Sequence, residues 1–374
     1  MFGGGRGGAY PGWSSLDGSL NAPSGSAQYP SLLDASSGTN GLGRNLATRP
    51  PWKVAGVDYH VGIDRSLYPN NSNLLDPSIA SLPSGVTFSS PFVIVASATA
   101  VVLDGYDFGL HNGMTIFLRG TANGGGGSLT VSNCNFLIGS NNNSCISTDN
   151  AADVGALTII NCELDGGGAI GSTGGPLMTS NSTIITVKYN YWHNAVEDGF
   201  DPGTAIGQHQ TIVMMYNLFD TAGFGSGSPH PDWLQINNAN NGLTNGQGIT
   251  DRVTCNFNTS FQSNAAGFNM QSVFRLNTQV NAAELAYNTC VCGSTGQSNT
   301  YFDIVEASGA PPGGDDPCTI INPQLHDNYV LQDNFTHPWT NGLYSTFPTP
   351  AYGIVNPSES NNIDMFAGTA LPVI

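Results

Sequence analysis

Charge is scarce in this 374-residue chain: only 9% of residues are charged, and basic ones are scarcest, 9 Lys and Arg against 26 Asp and Glu. The formal net charge of −17 excludes nucleic acid and anionic membrane surfaces as partners, because both would be repelled. It also disfavours an anionic polysaccharide unless a cation bridges it. No apolar run is long enough to span a bilayer, and the stretch Met1-Phe2-Gly3-Gly4-Gly5-Arg6-Gly7-Gly8 lacks the apolar segment of a signal peptide. No stretch holds an i, i+3, i+4 apolar pattern, which excludes helical repeats. Seven cysteines is an odd number, so at least one thiol stays unpaired or pairs between chains. Cys290-Val291-Cys292 has the wrong spacing for a zinc knuckle.

What is present is a period. An apolar pair returns every 28 residues as Val101/Leu103, Leu129/Val131, Leu157/Ile159, Ile185/Val187 and Val213/Met215. Two residues after each pair comes Gly105, Asn133, Asn161, Tyr189 or Asn217, and three further on Phe108, Phe136, Leu164, Trp192 or Asp220. Spacing by two within a pair sends both side chains to one face of a strand. A fixed period of this size means that one unit stacks on copies of itself. Short strands, frequent bends and 48 glycines predict an all-β chain, a right-handed parallel β-helix of about eight coils. Neighbouring coils then lie about 4.8 Å apart, and each buried Val or Leu contributes roughly 1.5–3 kcal/mol to a continuous ladder. Cys134 and Cys162, also 28 apart, would stack in such a ladder as two free thiols, with a disulfide as the alternative.

The chain divides accordingly. Residues 1–50 are Gly-, Ser-, Ala-, Asn- and Pro-rich and read as an extended arm that orders against a partner, with Tyr10, Trp13, Leu16 and Tyr29 as scattered anchors. Residues 51–85 read as a cap over the first coil, 86–340 as the β-helix, and 341–374 as a C-terminal cap or oligomerisation segment. Beyond the regular coils a marker runs Tyr189-Asn190, Tyr216-Asn217, Cys255-Asn256, Tyr287-Asn288 and Asp327-Asn328. Its uneven spacing implies insertions, the longest at 223–229, 237–248 and 308–317, which would build walls beside a groove.

Ionisable residues gather on one flank. One coil carries Glu197, Asp198 and Asp201; the next carries His230, Asp232, Trp233 and Gln235; the following one carries Gln271 and, further on, Arg275; the last carries Asp303 and Glu306. Removing the insertion at 223–229 aligns Asp198 with Asp232 and Asp201 with Gln235, and Asp303 and Glu306 repeat the same spacing. Paired carboxylates about 5–5.5 Å or roughly 6.5–9.5 Å apart serve retaining or inverting glycoside hydrolysis. Crowding would raise the proton affinity of one of them and supply a general acid. Asp198, Asp201, Asp232 and His230 are therefore the candidate catalytic residues. Glu197, Trp233, Gln235, Gln271, Arg275, Asp303 and Glu306 are the candidate substrate contacts, with the Trp233 indole as a platform for a sugar ring. Three other readings stand beside this one. The acids can cap turns through backbone N–H groups, as Asp198-Gly199 suggests, or line a ligand site without catalysis. Glu197, Asp198 and Asp201 can also be read, on a weaker signal, as Ca²⁺ ligands; no other metal or cofactor is expected.

The segments Val187-Lys188-Tyr189-Asn190-Tyr191-Trp192, Met215-Tyr216-Asn217-Leu218-Phe219 and His230-Pro231-Asp232-Trp233-Leu234-Gln235 resemble the pectate-lyase-like superfamily of right-handed β-helices. The resemblance covers residues 86–340 and carries the fold, not the reaction: the Gly-His-Gly and Arg-Ile-Lys motifs of polygalacturonase-like members do not occur here. It implies a polysaccharide as partner, and it covers lyases, hydrolases and bacteriophage tail spikes. The expectation is a virion surface spike or appendage of bacteriophage type. Its residues 1–50 would attach to other virion proteins, and its rod would recognise, and in an enzymatic version cleave, a host polysaccharide. The resemblance implies a homotrimer and an extracellular setting without membrane insertion. A secreted polysaccharide lyase or glycoside hydrolase, and a structural decoration protein or adhesin, are the alternatives.

Overall fold

The computed structural model describes residues 55–56, 60–68, 73–96, 100–119, 125–148, 154–168, 175–203, 208–224, 231–236, 249–261, 272–276, 279–291, 301–304, 320–331, 354–364 and 369–370. These form an all-β chain with three nine-stranded sheets, the arrangement of a parallel β-helix. Face A runs from Val86–Ser89 and Phe92–Ala96 to Phe302–Ile304, face B from Ala100–Asp104 to Ser358–Ser360, and face C from Asn135–Leu137 to Ile363–Asp364 and Thr369–Ala370. Pairing is parallel throughout except at two ends, where Val86–Ser89 meets Phe92–Ala96 and Ile363–Asp364 meets Thr369–Ala370 antiparallel.

Face B carries the period. Val101, Leu129, Leu157 and Ile185 lie one above another, as do Leu103, Val131, Ile159 and Val187. All eight are buried. The fifth pair corrects the sequence expectation: Ile185 pairs with Ile212 and Val187 with Met214, not with Val213 and Met215. That coil is one residue shorter than its predecessors. Because side chains alternate along a strand, one residue of slip changes which side reaches the core. Ile212 and Met214 are fully buried, while Val213 and Met215 are only partly so. The same slip puts Phe219, not Asp220, above Trp192 on face C.

The chain passes from face B to face C through one residue in the left-handed region: Gly105, Asn133, Asn161, Tyr189, Tyr216, Phe257, Tyr287 and Asp327, with φ between 53° and 74°. Left-handed backbone costs a side-chain-bearing residue about 1–2 kcal/mol. Here stacking offsets that cost. Tyr189, Tyr216, Phe257 and Tyr287 lie ring on ring at 4.8, 5.1 and 4.8 Å, contacts worth about 0.5–1.5 kcal/mol each.

The next residue along is a buried asparagine. Asn190, Asn217, Asn258, Asn288, Asn328 and Asn362 form one ladder, each Nδ2 donating to the next Oδ1 at 3.0 Å. Each Oδ1 from Asn217 onward also accepts the backbone N–H of the asparagine before it. A side-chain amide with every group satisfied inside the rod stabilises it, whereas an unpaired one would cost about 1–3 kcal/mol. The third marker is thus Phe257-Asn258, not Cys255-Asn256. Cys255 instead belongs to the core columns, pairing with Met214. In the first coils Cys134 and Cys162 occupy the ladder position, and Cys162 N–H donates to Asn190 Oδ1 at 2.9 Å. Both thiols are free and buried, and burial pushes the Cys134 thiol well up. The ladder also continues into the residues expected to form a C-terminal cap, since Gln324 pairs with Ser358 and Tyr329 with Ile363.

The segment before the coils reaches far beyond the first of them. Leu75 N–H donates to Gly105 O at the first coil, and Tyr68 Oη contacts Cys134 O on the next. Asp64 N–H donates to Asn161 Oδ1 at 2.6 Å, and Gly62 N–H to Tyr216 O at 2.8 Å. A Cβ on Gly56 would lie 2.9 Å from Thr259 Oγ1. The described residues 55–56, 60–68 and 73–75 therefore run lengthwise as a strap along the corner between faces B and C. Ala55, Val61 and Ile63 are fully buried, and Thr259, beside Gly56, is buried as well. Arg65 of the strap pairs with Glu163, which also meets His193 Nε2 at 3.2 Å.

Candidate functional site

Face A gathers the acids. Phe200, Leu234, Phe274 and Phe302 form its inner column and are fully buried. Alternation then puts their successors Asp201, Gln235 and Arg275 in an outer column, below Thr179. Gln235 is aligned with Asp201, as the insertion-corrected spacing requires. Asp303 pairs in register with Arg275, so its backbone position follows Asp201 and Gln235, not Asp198 and Asp232 as repeating the acid spacing implies.

Asp198 lies at the bend entering Phe200–Pro202, and this bend lets residues three apart meet. Asp198 and Asp201 share a side-chain hydrogen bond, and Asp201 is pushed up to about 9. Burial is the chief cause, followed by the charges of Asp198, Asp232 and Glu197. Asp201 therefore keeps its proton at neutral pH. The next coil joins directly: Asp232 N–H donates to Asp198 Oδ1 at 2.7 Å, and Gly199 N–H to Asp232 O at 2.7 Å. Asp232 itself has 0% exposed surface. Ser272 Oγ donates to its Oδ1, and Arg275 Nη1 lies 3.6 Å from its Oδ2. A buried carboxylate is tolerable only with such partners.

Two sequence expectations need correcting here. Trp233 is not a sugar platform: it is fully buried, its ring stacked on Phe219 at 5.2 Å and packed over Gly199. Asp232, with no exposed surface, lies beneath the site and not at it. Glu197 is half-buried beside Asp201, and Arg275 is 17% exposed. His230, Gln271 and Glu306 lie outside the described residues. Ser272 escaped sequence reading. It stands 40 residues beyond Asp232, and only knowledge of the loop length between them would bring the two into register.

Among the described residues no group of three or more His, Cys, Asp or Glu side chains is arranged to hold a metal ion. Elsewhere Asp76, His111 and Ser78 resemble a relay, but both contacts, at 2.8 and 3.2 Å, fall on the same nitrogen, Nε2. A proton relay through imidazole needs both ring nitrogens, so none is formed.

The chain matches no family model, no curated protein and no solved structure.

Proposed function

We propose that this is a glycan-cleaving β-helix, of the right-handed pectate-lyase-like kind, that binds a polysaccharide along face A and hydrolyses it. The observation that carries this reading is the buried Asp201 carboxyl, which meets Asp198 through a side-chain hydrogen bond and is pushed up to about 9 by burial and by the charges of Asp198, Asp232 and Glu197. Glycosidic cleavage needs a carboxyl that keeps its proton at working pH to serve as the general acid. In the proposed step Asp201 gives its proton to the glycosidic oxygen as the bond from that oxygen to the anomeric carbon breaks. A water adds to the same carbon and releases a proton to solvent, and solvent reprotonates Asp201. Gln235 and Arg275, next in the outer column, are the contacts that would bind the chain's hydroxyl groups.

The setting we propose is a virion surface, with the Gly- and Ser-rich residues 1–50 as the attachment arm. A secreted hydrolase would use the same site. Reducing-end assays on a polysaccharide panel test the reading. Wild type should release ends from at least one polymer, and Asp201→Asn should not. A glycan that is bound but never cut would make the protein a receptor-binding rod and overturn the hydrolase.

A further inference from the structure

The buried carboxylate beneath the site raises a question that the cleavage step leaves open. Asp232 has no exposed surface, so it cannot touch a bound glycan, yet it lies in the same electrostatic cluster as the two acids that would. A carboxylate there has two options. It can compete for the proton on Asp201, or it can be fixed as an anion by donors of its own. The structure supplies the donors. On the side of the following coil, Ser272 pairs in register with Asp232, is itself fully buried, and gives its hydroxyl hydrogen to Oδ1. Arg275, three residues further along the same strand, brings its guanidinium to 3.6 Å from Oδ2. From the preceding coil, Asp198 accepts the Asp232 backbone N–H, and the charges of Asp198, Asp232 and Glu197 act on Asp201. Asp303 follows Arg275 in register.

We infer that Ser272 and Asp232 are positioning residues: Ser272 fixes the buried Asp232 carboxylate, and the two together hold Arg275 in the outer column beside Gln235 and Asp201. This rests on the hydrolase reading for its consequence but not for its geometry. A hydroxyl donor favours the ionised form of the acid it bonds. Without it, Asp232 gains proton affinity. Each proton that settles there removes a negative charge from beside Asp201, which then releases its own proton at lower pH. Arg275 simultaneously loses the anion that orients it.

The experiment uses the full chain with ¹³C-carboxyl-labelled aspartate, comparing wild type, Ser272→Ala and Ser272→Thr. Titration is followed by NMR and, where a cleaved polymer has been found, by the pH–rate profile. In Ser272→Ala the high midpoint assigned to Asp201 should fall by about half a unit or more, and KM should rise several-fold, because Arg275 is no longer held. Ser272→Thr, which keeps the hydroxyl, should restore both. Arg275→Lys, which keeps the charge but not the fork, should raise KM with little movement of the midpoint. Midpoints that superimpose in wild type and Ser272→Ala would overturn the inference. So would a shift that Ser272→Thr fails to restore in a folded protein. If no polymer is ever cut, the hydrolase reading fails while the titration still decides this one.

Discussion

A Cβ on Gly199 would sit 2.8 Å from Trp233 Cε3 and 2.7 Å from Trp233 O. The glycine between Asp198 and Phe200 is there because the indole of the next coil lies against its backbone. That contact joins the core to the site, since the same bend carries Asp198 toward Asp201. Gly199→Ala should therefore destabilise the protein by about 1–3 kcal/mol, the usual range for overpacking. It should also lower any glycan-cleaving rate more than binding. Urea unfolding with a parallel activity assay checks both.

The asparagine ladder predicts a cost that depends on neighbours. Asn258 receives both N–H groups of Asn217 and gives its own to Asn288 and to Met214 O. Asn258→Leu removes these and strands buried donors on Asn217, so a loss of about 2–4 kcal/mol is expected. Asn141, whose exposed amide donates to His111 O at 2.7 Å, is the control. Replacing it with alanine should cost about 0.5 kcal/mol or less.

The one-residue slip predicts opposite fates for adjacent residues. Met214→Ala opens a cavity in the core and should cost about 2–5 kcal/mol. Val213→Ala, on the outer side, should cost well under half as much. A register with Val213 inside would reverse the order.

Asp201 links stability to pH. Its folded value, about 9, lies above the ordinary carboxylate value of 3.8. The stabilisation from holding this proton is fully present below the ordinary value, and it is lost as pH rises toward and through about 9. Asp201→Asn cannot ionise, so its Tm advantage over wild type should grow from pH 5 to pH 9. Thermal unfolding across that range reads it directly.

Much of the rod was legible because its periodicity is written in residues that face the core on every coil. Leu129, Leu157 and Ile185 repeat at the interval the stacked strands require. Legibility failed where coils stopped being equal. Met214 and Val213 are both apolar, so composition could not show which one faces inward after a coil lost a residue. Phe257-Asn258 and Cys255-Asn256 offered two markers two residues apart, and only the left-handed turn at Phe257 separates them. In the candidate site, Asp198 and Asp201 were legible as a crowded pair. Trp233 was misread because an indole beside acids looks the same in sequence whether it faces a sugar or packs on Phe219. The strap could not be foreseen, since Gly62, Asp64 and Tyr68 carry no periodic pattern and their partners lie between 66 and 154 residues away.

Reducing-end release from a polysaccharide panel, wild type against Asp201→Asn, with pH carried through about 9, tests the central claim most directly. The account predicts a wild-type rate that falls as pH rises through that value, as the proton donor ionises. It predicts a loss of about 10²–10⁴-fold in Asp201→Asn, the usual contribution of a general acid. An Asp201→Asn protein that cleaves as fast as wild type would contradict it.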